Sequence, residues 1–129
     1  HGATRDARLQ EIDVGEWAGR TYADIMADQG DIVDPHIALF SVRPPGGEWY
    51  DDIALRLQRW IDDTAHLEGD RLVIMHGMSS RVLRGILLGL PVDSHWQAPI
   101  APSLPQGTMV MIENGQEEVV HLGGNAKPA

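Results

Sequence analysis

The chain has 129 residues, 43% hydrophobic and 22% charged, with a formal net charge of −9 and no cysteine. That size and balance predict one soluble domain with its own core. They exclude disulfides, thiol nucleophiles and thiolate metal sites, and no apolar run approaches the ~20 residues that cross a bilayer. The acidic balance opposes a nucleic-acid partner, because phosphate backbones demand a basic face. A small phosphorylated substrate stays compatible, since a few arginines and oriented amides can make a positive pocket within an acidic protein. His1–Leu9 has no apolar core of the signal-peptide kind, and the lack of cysteine fits a cytoplasmic setting.

In chain order, Arg8–Gly19 ("RLQEIDVGEWAG") alternates apolar residues at Leu9, Ile12 and Val14, then meets Gly15 and Gly19. It predicts a short extended segment followed by a turn. Thr21–Gln29 suits a helix, with Thr21 as N-cap, Asp24 three residues on and Gly30 past its end. Pro35 forbids an uninterrupted helix across residues 31–40. "VRPPGGEWYDD" is a loop, because two prolines and two glycines continue neither a helix nor a central strand. From Asp51 the spacing of Ile53, Leu55, Leu57, Trp60 and Ile61, largely helical, predicts a helix ending near Leu67.

"LVIM" (residues 72–75) is a continuous apolar run bounded by turn signals, the pattern of a central strand buried on both faces. Ser79 or Ser80 would cap the helix after it, whose apolar face is Val82, Leu83, Ile86, Leu87 and Leu90 and which Pro91 stops. "TMVMIE" and "EEVVHL" around "NGQ" predict a hairpin. The order helix, strand, helix, then two strands is α/β in character. Residues 1–129 form a single domain in this reading, with a small polar tail over 123–129 predicted to be disordered.

Three places carry residues with chemistry. His76 closes the apolar run and is followed by Gly77 and a helix start. Ligands bind at such strand ends, where Gly77 permits close approach and the Met78 and Ser79 amides can face an anion. The plain reading is a satisfied histidine at a strand end, and agreement at several levels favours function. Glu48 follows "PPGG" and precedes Trp49 and Tyr50, where partial desolvation would suit a proton donor; an exposed loop glutamate is the plain alternative. Glu11, Asp13 and Glu16 read as solvated carboxylates beside a packing Trp17. His36, His66, His95 and His121 lack metal-ligand spacing, Arg81 stands where a nucleophile elbow requires Gly, and no Walker A or GxGxxG occurs.

Together these pieces resemble the histidine phosphatase superfamily, the phosphoglycerate-mutase-like enzymes. "RLQEIDVGEWAGRTYADI" is similar to its Leu-x-Glu…Gly-x-Trp-x-Gly segment, and "PPGGEWYDDIALRLQRWI" to its Gly-Gly-Glu loop and helix. "RLVIMHGMSSRVLRGILLGLP" resembles its second-histidine strand and helix, and "LPQGTMVMIE" its closing strands. The resemblance implies a three-layer α/β/α fold and phosphoryl transfer through a phosphohistidine. It implies Glu48 as proton donor or acceptor and His76 as the second catalytic histidine. Gly77 and the Met78 amide would lie beside the phosphate. No metal and no cofactor are called for.

Two departures bear on this. The family's Arg-His-Gly nucleophile motif is not in the sequence, so the chain reads as a carboxyl-terminal portion of a longer enzyme. His1 is placed in the loop before "ARLQE"; the alternative makes His1–Thr4 the nucleophile motif. Met78 stands where a small or polar residue is common, which would change the pocket's shape. On its own the chain is expected to be inactive and poorly soluble, from an uncovered sheet edge.

The leading reading is a phosphomonoesterase acting on a small phosphorylated metabolite. Mutase-type phosphotransfer is disfavoured by the short stretch between Gly19 and Gly46. Arg43 is a candidate for a substrate's anionic group, with an ordinary surface charge as the equal alternative. The competing classes are a phosphate-binding module without turnover and a serine hydrolase built on "MHGMSS", against which the failed elbow spacing counts. No membrane partner is expected, and a homodimer is left open.

Overall fold

The computed structural model describes residues 4–123. His1 and the tail beyond Gly123 lie outside the described residues, and with them the alternative nucleophile and most of the tail expected to be disordered. Gly123 itself is held: its N–H donates to Thr108 Oγ1 (3.0 Å).

Three α-helices carry the core: α1 (Tyr22–Gln29), α2 (Tyr50–Thr64) and α3 (Gly77–Leu87). Two small antiparallel sheets follow. One pairs β1 (Val92–Asp93) with β2 (Ala98–Pro99), the other β3 (Met109–Glu113) with β4 (Gln116–His121). None of the helices is long and apolar enough to cross a membrane.

Local chemistry explains most boundaries. Thr21 Oγ1 accepts the Asp24 N–H (3.1 Å), and Gly30 ends α1 at φ 80°, a conformation free of cost only to glycine. The Asp52 carboxylate reaches back to the Trp49 N–H (2.9 Å) and fixes where α2 begins. Its end at Thr64 comes a turn earlier than the apolar spacing implied, with the Thr64 hydroxyl donating to the Trp60 carbonyl (2.7 Å). The β3–β4 turn has Asn114 at φ 54° and Gly115 at φ 76°, the primed geometry that suits a right-twisted hairpin. Ile53 and Leu57 of α2 and Val82 and Leu83 of α3 are buried in one cluster with Ile25 and Phe40. Each such side chain contributes about 1.5–3 kcal/mol of burial.

Glycine sets the spacing of α3 against β2. A methyl group on Gly85 would meet the Pro99 carbonyl at 2.5 Å, and the Ala101 N–H donates to the Arg81 carbonyl (3.0 Å). The Arg81 side chain, almost fully buried, donates to the carbonyls of Ala101 (2.9 Å) and Ile37 (2.8 Å). Burial pushes the guanidinium below its usual pKa, with Arg84 nearby adding to that and Tyr50 opposing it. Arg84 forks onto Glu117 (2.7 and 3.1 Å) and ties the hairpin to α3.

The stretch 71–76 departs from the expectation of a central strand. It is neither helix nor strand, and residues 71–75 make no backbone hydrogen bond among the described residues. Val73 and Met75 pack against the core, whereas Leu72 and Ile74 are 75% and 81% exposed. The run has a strand's alternation, but no adjacent strand among the described residues pairs its edges or covers its outer face. The chain is thus α/β in its elements, and the central layer of a three-layer sandwich is represented by this one unpaired segment.

This burial pattern predicts opposite costs for two isoleucines on adjacent elements. Ile53→Ala is expected to lower the unfolding free energy by about 2–5 kcal/mol. Ile74→Ala should change it by less than about 0.5 kcal/mol. Urea unfolding of both variants is the measurement, and equal costs would contradict the unpaired, outward-facing segment.

Candidate active site

Residues 13–16 cross residues 44–48 with almost nothing between the two backbones. The Glu48 N–H donates to the Asp13 carbonyl (2.8 Å) and the Glu16 N–H to the Pro45 carbonyl (2.9 Å). A methyl group on Gly47 would collide with the Asp13 carbonyl, and one on Gly15 with the Pro45 carbonyl. Gly15, at φ 54°, also holds a conformation that other residues rarely adopt. The crossing brings the two acidic motifs of the sequence to one place.

Glu48 does not stand as a free carboxyl against the aromatic pair. Both of its oxygens are engaged by Arg56: Nε to Oε2 (2.8 Å) and Nη2 to Oε1 (3.0 Å). Oε1 also accepts the Asp13 N–H (3.0 Å). A carboxylate held by a bidentate fork and an amide is an anchor; to protonate a leaving group it would first have to release Arg56. Arg43 is likewise committed. It is 62% exposed, and its Nε donates to the Gly47 carbonyl (3.0 Å) while Nη2 reaches Asp52 (3.2 Å), strapping the Pro-Gly loop to the start of α2.

The first turn of α3 holds the other half of the site. His76 is its N-cap residue, exposed and extended (φ −98°, ψ 166°), and Gly77 begins the helix. Neither serine caps it. The Ser79 hydroxyl donates to the Gln10 carbonyl (2.7 Å) and that of Ser80 to Gly77 (2.8 Å). The cap is Glu11, 67 residues upstream of Met78: its Oε2 accepts the Met78 N–H (2.8 Å) and its Oε1 the Ser79 N–H (2.7 Å). A carboxylate at a helix amino terminus gains from both the free amides and the helix dipole. The Met78 amide, expected beside a phosphate, is therefore filled by an internal anion. The Met78 side chain turns inward, where its sulfur accepts a hydrogen bond from the buried Tyr50 hydroxyl (3.3 Å).

The structure thus places His76, Gly77, Met78 and the Glu11 carboxylate together, with Glu48 linked to them through Arg56. Arg43 is kept out of that group by its own two partners. His95 serves elsewhere, its ring between Trp49 and Trp96 and its Nε2 against the Ser41 carbonyl (3.2 Å). Among the described residues no group of three or more His, Asp or Glu side chains is gathered in a way that could hold a metal ion. Sequence reasoning missed Glu11 and Arg56. Glu11 had a signal in the Leu-x-Glu segment, yet a capping bond spanning 67 residues has no local pattern. Arg56 had a weaker one: a charge next to Leu57 and three residues past Ile53, at the margin of the buried stripe.

The site joins a histidine at the amino terminus of α3, the Glu11 carboxylate on the first amides of that helix, and a Gly-Gly-Glu loop linked to them through Arg56. The family comparison agrees: the model of the histidine phosphatase superfamily (branch 1) matches residues 2–124, and the chain belongs to that superfamily. Comparison with curated proteins and with solved structures found no match. Membership supports phosphoryl transfer as the general chemistry.

Tyr50 gives a pH signature of the packing beneath the site. Its hydroxyl accepts the Phe40 N–H (2.9 Å), and burial pushes its pKa well above the ordinary 10.0, with the Phe40 hydrogen bond opposing. A phenol kept neutral in the fold contributes stability that is complete below the unfolded value and lost as pH rises through the folded one. The unfolding free energy is therefore expected to fall as pH rises past about 10, and Tyr50→Phe to flatten that fall. Urea unfolding between neutral pH and pH 11 measures it; an unchanged slope in the variant would contradict the assignment.

Proposed function

We propose that the chain carries the second-histidine half of a phosphomonoesterase site that works through a phosphohistidine on a small phosphorylated metabolite. The observation that supports this most is the Glu11 carboxylate on the Met78 and Ser79 amides, two and three residues from His76. Two oriented amides, a helix amino terminus and an imidazole are what a transferring phosphoryl group requires, since this chemistry depends on positioning and charge stabilisation.

In this reading the attacking imidazole is the one that the family resemblance assigns to an Arg-His-Gly motif. It forms the nitrogen–phosphorus bond as the phosphorus–oxygen bond to the leaving alcohol breaks. His76 faces the charge on the transferring group. The proton for the leaving oxygen comes from a carboxyl, and the surroundings favour Glu11 over Glu48. Glu11 is held by the neutral amides of Ile12, Met78 and Ser79, whereas both Glu48 oxygens are held by the Arg56 cation. On protonation Glu11 loses acceptor strength, and a phosphoryl oxygen takes over the Met78 and Ser79 amides. In the second step Glu11 receives a proton from the attacking water, the nitrogen–phosphorus bond breaks, and phosphate and the free imidazole result.

One observation favours a second reading, phosphate binding without turnover: the amides already have an acceptor in Glu11. Hydrolysis of p-nitrophenyl phosphate in excess chelator by protein that also carries the Arg-His-Gly motif, alongside inorganic phosphate binding by calorimetry, separates the two. The enzyme reading expects chelator-resistant hydrolysis, reduced by about 10²-fold or more in His76→Ala and Glu11→Gln. Unchanged turnover in His76→Ala overturns the site. Phosphate binding with no hydrolysis selects the binding module.

A further inference from the structure

We propose that Arg56 is a positioning residue of this site: it fixes the backbone that carries Glu11 and so holds the Glu11 carboxylate on the first turn of α3. The inference rests on the reading given under Proposed function, and it concerns a residue that touches neither phosphate nor the reacting atoms.

The guanidinium sits on the second turn of α2 and is largely buried with its partner, the side chains of Arg56 and Glu48 being 16% and 21% exposed. Its donors reach all three parts of the site. Nε and Nη2 hold the Glu48 carboxylate of the Gly-Gly-Glu loop. Nη1 donates to the Arg8 carbonyl (2.7 Å), and Nη2 extends to the Glu11 carbonyl (3.4 Å) and the Ser79 hydroxyl (3.4 Å).

The segment around Glu11 is thereby pinned at several points. Arg56 takes the carbonyls of Arg8 and Glu11, Glu48 takes the Asp13 N–H, and the Ser79 hydroxyl takes the Gln10 carbonyl. Little rotation is left to the Glu11 backbone, so its side chain meets the Met78 and Ser79 amides at 2.8 and 2.7 Å. Several contacts in separate directions require a planar fork. A lysine ammonium has the charge without the fork, and it cannot hold both Glu48 oxygens and the Arg8 carbonyl in the same way. In this arrangement Glu48 orients Arg56, and Arg56 orients the carboxylate at the anion site.

The test is amide NMR on the full chain, in wild type, Glu11→Gln, Arg56→Lys and Glu48→Gln. In wild type the Met78 and Ser79 amides are expected to be protected from exchange by their bonds to the Glu11 carboxylate, and Glu11→Gln should lower that protection. In Arg56→Lys the two amides should exchange with solvent about tenfold faster or more, the factor implied by weakening one charge-assisted hydrogen bond. Amides in the β3–β4 hairpin should keep their protection. Glu48→Gln should act in the same direction and more weakly, which keeps the test open if Arg56→Lys does not fold. Wild-type exchange at Met78 and Ser79 in Arg56→Lys, or in Glu48→Gln where Arg56→Lys is unfolded, would overturn the proposal. Failure of the phosphatase reading shows separately, as His76→Ala turnover that does not fall.

Discussion

The site depends on two backbones approaching each other with no side chain between them. Where residues 13–15 pass residues 45–47, Gly15 and Gly47 leave room for a carbonyl where a methyl group would stand. The two hydrogen bonds of the crossing, Glu48 to Asp13 and Glu16 to Pro45, need that closeness. Close packing leaves no slack for an added atom. Beside the crossing, one arginine holds both the Gly-Gly-Glu carboxylate and the backbone carbonyl of the Leu-x-Glu glutamate.

That placement divides the work between two chemically identical groups. Glu48, half-buried against a guanidinium, has a charged partner in a poorly solvated setting. Glu11 has amides for partners, and amides are the donors that an incoming anion can claim. A carboxylate on a helix amino terminus brings negative charge to the positive end of the helix dipole. The difference between the two glutamates is therefore one of neighbours.

Most local structure was legible in the residues. The Thr21 cap, the Gly30 stop, the Pro-Gly loop and the Asn114-Gly115 hairpin turn each depend on neighbours within a few positions, and the structure has them where the sequence put them. The expectations that changed depend on distant partners. Ser79 and Ser80 looked like helix caps because capping is usually local; Glu11 does it from 67 residues away. The resemblance gave Glu48 a proton to carry, and nothing near its two glycines tells that Arg56 of α2 holds both of its oxygens. "LVIM" was read as doubly covered because a run of four apolar residues does not say which faces have partners.

The unpaired segment and the capped helix meet at His76. Its imidazole lies where an edge with unpaired amides and carbonyls turns into a helix whose first amides hold an internal anion. The helix amino terminus already has a charge of the favourable sign on its free amides. Under the proposed function a phosphoryl oxygen would take those amides in place of Glu11, and a turn of the Glu11 side chain would release them. That keeps the demand for rigidity on the backbone beneath Glu11, where Arg56, Glu48 and Ser79 are gathered.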